Sequence, residues 1–72
     1  MKTIYTKEHR KLVARLREAR LAAGFTQVQV AKALKRPQSF VAHLESGQRR
    51  VDFVELRRFA KLYRKPLSYF EA

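Results

Sequence analysis

Apolar residues recur every three or four positions along most of this chain, the period of helices with one buried face. Leu12, Leu16, Ala19 and Ala23 make the first stripe, while Lys7, Lys11, Arg15 and Glu18 fall elsewhere around the same helix. Thr6 suits its N-cap, Glu8 suits its first turn and Gly24 ends it, with Phe25 following as a core aromatic. Thr26 and Gln29 have the capping-box spacing, which starts a second helix whose Val30, Ala31 and Leu34 share one side and whose Val28 faces away. Pro37 disfavours helical geometry at Arg36 and suits a first turn, so a third helix is expected over about residues 38–46, with Val41 and Leu44 inward. Gly47 can close that helix with a positive φ.

Beyond the loop at residues 48–51, Asp52 is an N-cap for a fourth helix over residues 53–63. Phe53, Leu56, Phe59 (or Ala60) and Tyr63 would pack inward, and Arg57, Arg58 and Lys61 outward. Pro66 then starts a short fifth helix that returns Leu67 and Phe70 to the core and points Tyr69 elsewhere. Residues 1–5 precede this pattern and are read as a flexible tail, unless Ile4 and Tyr5 fold back. The expectation is an all-α chain, one five-helix domain over residues 6–72. Its second and third helices, separated by Lys35 and Arg36 and crossing at the small Ala31, read as a helix-turn-helix.

Charge narrows the partner. Seventeen Lys and Arg against six Asp and Glu give a net charge of +11 on 72 residues, which attracts polyanions without choosing among them. There is no cysteine and only His9 and His43, which argues against a disulfide staple, a metal site or a cofactor. Paired carboxylates and a nucleotide loop are also missing from the pattern, so an enzyme is not expected. No apolar run approaches the roughly 18 residues that span a bilayer, and residues 1–11 lack a signal-peptide core. No membrane contact is expected, and the chain is read as cytoplasmic.

Residues 12–70 resemble the helix-turn-helix domain of phage repressors and Cro proteins, the XRE family, whose fold is lambda-repressor-like. The resemblance is carried by Arg20, Gly24, Thr26, Gln27, Ala31, Leu34, Gln38, Ser39, Val41, Leu44, Glu45, Gly47, Arg49 and Arg50, with Ala60 and residues 67–70. It implies a bacterial, phage or mobile-element host and association with the nucleoid through DNA. It also pairs Arg20 with Glu45 as an ion pair joining the first and third helices, with Arg20 leaning toward DNA phosphate. Two departures stand out. Lys35 occupies a turn position that usually holds Gly, so a residue with a Cβ is expected at positive φ, and Pro37 replaces a Ser-like cap.

Base edges are read from the first turn of the recognition helix, where Gln38 stands. A glutamine can pair with adenine N6 and N7, although Gln38 can equally cap or solvate the helix start. Ser39 can bond to a base or phosphate, and His43 to guanine or phosphate, or remain a plain surface histidine. Phe40 either packs under the turn or meets a thymine methyl, and the second is the expectation. The resemblance assigns Gln27 to a phosphate and to bracing Gln38. Lys35, Arg36, Arg49 and Arg50 flank the helix as a backbone clamp.

The leading function is a sequence-specific double-stranded-DNA-binding regulator, a repressor, bound as a homodimer on a palindromic operator through Tyr63, Leu67, Tyr69 and Phe70. The alternatives are an antitoxin that also binds its own promoter, and a generic polyanion binder.

Overall fold

The computed structural model describes residues 6–71, and the expectation for residues 1–5 lies outside them. Helices α1 (Lys7–Ala22), α2 (Gln27–Leu34), α3 (Gln38–Glu45) and α4 (Phe53–Tyr63) are followed by a 3-10 turn, Leu67–Glu71. The fold is all-α, and the fifth element is a 3-10 turn, not an α-helix. Pro66 sets its start, where the Pro66 carbonyl accepts from Tyr69 N at 3.0 Å.

Local chemistry accounts for the helix starts. Thr6 Oγ1 accepts from His9 N at 3.2 Å, and Thr26 with Gln29 and Asp52 with Glu55 form complete capping boxes. Pro37 begins α3 with no side-chain cap. The helix ends share one device. After α1 and α3, Gly24 and Gly47 take φ +80, and after α2 and α4, Lys35 and Arg64 take φ 57 and φ 58. Each is followed by a 6→1 backbone bond, such as Phe25 N to Arg20 O at 3.1 Å and Lys65 N to Ala60 O at 2.9 Å, which satisfies a carbonyl left over by the helix. Left-handed geometry costs a residue with a Cβ about 1–2 kcal/mol, so the second and fourth helices close against strain. Lys35 was expected there, whereas Arg64 had no signal beyond its position before Lys65 and Pro66.

The core is built from Leu16 and Ala19 of α1, Val30 and Ala31 of α2, Val41 and Leu44 of α3, and Phe59 of α4. Ala31 of α2 is part of this core and is 4% exposed, so a larger side chain there would have to displace its neighbours. An aromatic line crosses the core. Phe40 stacks parallel to Phe59 at 6.2 Å, Phe59 tilts on Tyr63 at 5.8 Å, and Tyr63 reaches Phe25 at 6.3 Å.

Three packing expectations are corrected. The buried stripe of α1 is Val13, Leu16, Ala19 and Arg20, with Leu12 half-buried and Ala23 exposed, because the helix is turned to bring Arg20 inward. Phe53 is 62% exposed, since the inward arc of α4 is centred on Phe59, Ala60 and Tyr63 and the first turn runs past its neighbours. Tyr63 and Phe70, expected between two copies, are each 4% exposed and belong to the core of one. Leu67 and Tyr69 stay half-buried, with the Tyr69 ring edge-on to Phe70 at 5.0 Å.

Two stability tests follow from these features. Arg64→Gly removes the left-handed strain but adds unfolded-state freedom, and a net gain of about 0.5–1 kcal/mol is expected. A melting temperature unchanged or lowered would contradict the strain. Tyr63 Oη is buried with no hydrogen-bond partner among the described residues. Burial, then the nearby Glu45 charge, pushes its phenol well above the ordinary value. An unfolded phenol ionises near pH ~10 while the folded one stays neutral, so its contribution is present below that pH and lost above it. Tyr63→Phe should therefore keep or raise stability at neutral pH by up to about 1 kcal/mol and flatten the alkaline decline. Urea midpoints at both pH values check this, and a clear loss at neutral pH would contradict it.

Candidate nucleic-acid interface

A polar chain runs from the core to the surface of α3. Arg20 Nε donates to Glu45 Oε2 at 2.7 Å and Nη2 to Oε1 at 3.0 Å, a two-pronged pair whose side chains are 9% and 5% exposed. Arg20 Nη1 donates to the Phe25 carbonyl at 2.9 Å, which ties the end of α1 to the same pair. The bond to Glu45 is the main reason the guanidinium is held protonated even more firmly than usual. Gln27 Nε2 then donates to Glu45 Oε1 at 3.1 Å, and Gln38 Nε2 lies 3.5 Å from Gln27 Oε1. Helices α1, α2 and α3 thus meet at one carboxylate, and the last link positions an exposed glutamine at the start of α3.

Successive residues of α3 are about 100° apart. Phe40, Val41 and Leu44 occupy the buried arc, and Gln38, Ser39 and His43 face outward around the half-buried Ala42. Because Pro37 offers no side-chain acceptor, Phe40 N donates to the Pro37 carbonyl at 3.0 Å, and the Gln38 and Ser39 N–H groups are left to solvent or to an anion.

A second cluster sits beside α3. Arg36, from the turn before the helix, and Arg49, from the loop after it, both donate to Glu55 Oε2 at 3.1 Å. Both guanidinium groups also lie over the Phe40 ring, at 4.4 and 4.5 Å. Their side chains remain 44% and 41% exposed, so each is held on one side and open on the other. Glu55 is a member of this cluster that was not expected from the sequence. Its capping-box spacing to Asp52 was visible, but its other oxygen, which gathers two arginines, was not. Lys35 and Arg50 are exposed at the two ends of α3.

The sequence matches the family model described as "Helix-turn-helix domain" over residues 11–67. The chain belongs to the helix-turn-helix domain family. No curated protein is significantly similar to it. In such a domain the second helix of the motif enters the DNA major groove, and here that helix is α3. The family is one of DNA-binding domains, and among the described residues no helix is long and apolar enough to cross a membrane.

Two expected contacts of this helix-turn-helix are corrected. Phe40 is 6% exposed and stacked on Phe59, so its ring is core and not available to a thymine methyl. Arg20 is 7% exposed with Nε, Nη1 and Nη2 all engaged within the fold, so it does not reach toward phosphate. The Phe40 contact was misjudged because the angle between helices, and not the helical period, chose which side of α3 is inward, whereas the Arg20 contact was implied only by the resemblance.

Removing one member of the buried pair leaves the other charge uncompensated. Arg20→Met or Glu45→Leu alone is expected to cost about 3 kcal/mol or more, while the double replacement costs less than either. Additive losses in denaturant titrations would show that the two side chains do not act as a pair.

Proposed function

We propose that this chain is a sequence-specific regulator of transcription of the phage repressor and Cro (XRE) type, acting as a repressor on double-stranded DNA. The observation that carries the reading is the braced Gln38, an exposed amide linked through Gln27 and Glu45 to the buried Arg20. A side-chain amide has two N–H donors and one acceptor oxygen. With one N–H turned to Gln27, the other can donate to adenine N7 while Oε1 accepts from N6, a pairing worth about 1–3 kcal/mol of discrimination. Bracing lowers the freedom lost on contact and turns a flexible side chain into a reader.

Ser39 and His43 face the same groove and read bases or bond to phosphates beside it. Gln27, Lys35, Arg36, Arg49 and Arg50 hold the DNA backbone, with the Gln38 and Ser39 N–H groups at the start of α3 as further donors. Arg36 and Arg49 are well suited because Glu55 and Phe40 fix their reach without burying their outer faces. The charge of +11 speeds the encounter and adds affinity that falls with salt. Two copies act together on a palindromic operator whose half-sites lie about 34 Å apart. The protein works in the bacterial cytoplasm, on the nucleoid.

Selection from a random duplex pool at physiological salt tests this, with wild type and Gln38→Ala in parallel. A palindrome is expected for the wild type, and the variant should lose information at one symmetric pair of positions. Sites without symmetry would overturn the dimer, and no enrichment would overturn sequence reading altogether.

A further inference from the structure

The flank of α3 that carries Phe40 opens onto a groove between α2 and α4. One part is a depression of about 190 Å³ with Leu34, Phe40 and Phe59 at its base and Val54 at its edge. A second depression continues along α4 to Leu62, and the two share Leu34 and Arg58. Val54 is 62% exposed, as is its neighbour Phe53, so apolar surface at this end is open to solvent. The rim is cationic, with Lys35 and Arg36 on one side and Arg58 and Lys61 on the other. Two acids lie at one end, and both are already engaged. Glu55 accepts from Arg36, Arg49 and the Asp52 backbone, and Asp52 Oδ1 accepts from the Glu55 backbone.

We propose that this groove is a docking site for an acidic amphipathic helix of a partner protein. Chemistry selects that occupant. An apolar base gains from burying Leu- or Phe-type side chains, which a sugar-phosphate backbone does not supply. A cationic rim on both sides favours carboxylates flanking those side chains. A second copy of this chain would bring four cations against four like charges, which disfavours self-association at this surface. From Val54 to Leu62 the groove follows eight residue steps of α4, about 12 Å, the length of roughly two helical turns. The partner helix therefore needs apolar residues at i, i+3 or i+4, and i+7, with Asp or Glu on either side. Phe40 stands two residues after Gln38, about 200° around α3, so the groove and the base-reading side are different faces.

Selection of a displayed random 16-residue peptide library against the full chain at physiological salt tests the assignment. Enriched peptides are expected to combine helical apolar spacing with an excess of Asp and Glu. A synthetic copy of one should move the amide resonances of Leu34, Val54, Arg58 and Leu62. Val54→Asp and Arg58→Glu are surface changes expected to weaken it about tenfold each, whereas Arg57→Glu, the same charge change outside the groove, should shift affinity no more than about threefold. Circular dichroism checks that each variant is folded. The proposal is overturned by basic or patternless peptides, by no enrichment, by resonance changes centred on Gln38 and His43, or by equal losses from Arg57→Glu and Arg58→Glu. Concentration-dependent sedimentation with the same residues shifting in the absence of peptide would assign the groove to a second copy instead.

Discussion

The Arg20–Glu45 pair is the constraint around which the rest of this domain is arranged. Glu45 Oε1 accepts from α1 and α2 while belonging to α3, so one carboxylate fixes three helices relative to each other. Apolar packing alone would hold these helices together, but its energy changes little when a helix rotates by a few degrees. A two-pronged charged hydrogen bond is directional and tolerates little rotation. The pair's gain in stability is modest after both charges have left water, and its main effect is on angle and register. That angle decides where Gln38 stands, because the relay through Gln27 ends at its side chain.

A second consequence of the same packing is the fate of charge. Most of the basic residues lie on the surface, yet two of those beside α3 are not loose. Arg36 and Arg49 approach from opposite ends of the helix and converge on Glu55, with Phe40 beneath them. A carboxylate shared by two guanidinium groups leaves a net positive site whose geometry is set before any anion arrives. Phe40 therefore works from inside the core: it supports the cations through its ring and the fold through Phe59.

Small size explains why the helix ends are so uniform. A chain of 72 residues buries only about 60% of its unfolded surface, so unsatisfied backbone groups weigh heavily against a limited core. The four helices close with the same bonding pattern, even where Lys35 and Arg64 must take a left-handed conformation to complete it. Retaining cations at these positions places positive charge beside helix C-termini, which offsets part of that strain.

The four α-helices and their approximate limits were legible in the sequence because capping residues, Gly24, Gly47 and the two prolines act over a few neighbouring positions, whereas the 3-10 form of the fifth element was not. The helix-turn-helix was legible for the same reason, through the short Lys35 and Arg36 turn and the small Ala31. The pairing of Arg20 with Glu45 came from family resemblance, since 25 positions separate them in the chain. Tertiary structure alone decided the inward side of each helix: Val13 and Arg20 over Ala23, Phe40 into the core, and Phe53 out into solvent. A period of 3.6 residues fixes which side chains share a face, but only the angle at which helices meet determines where that face points.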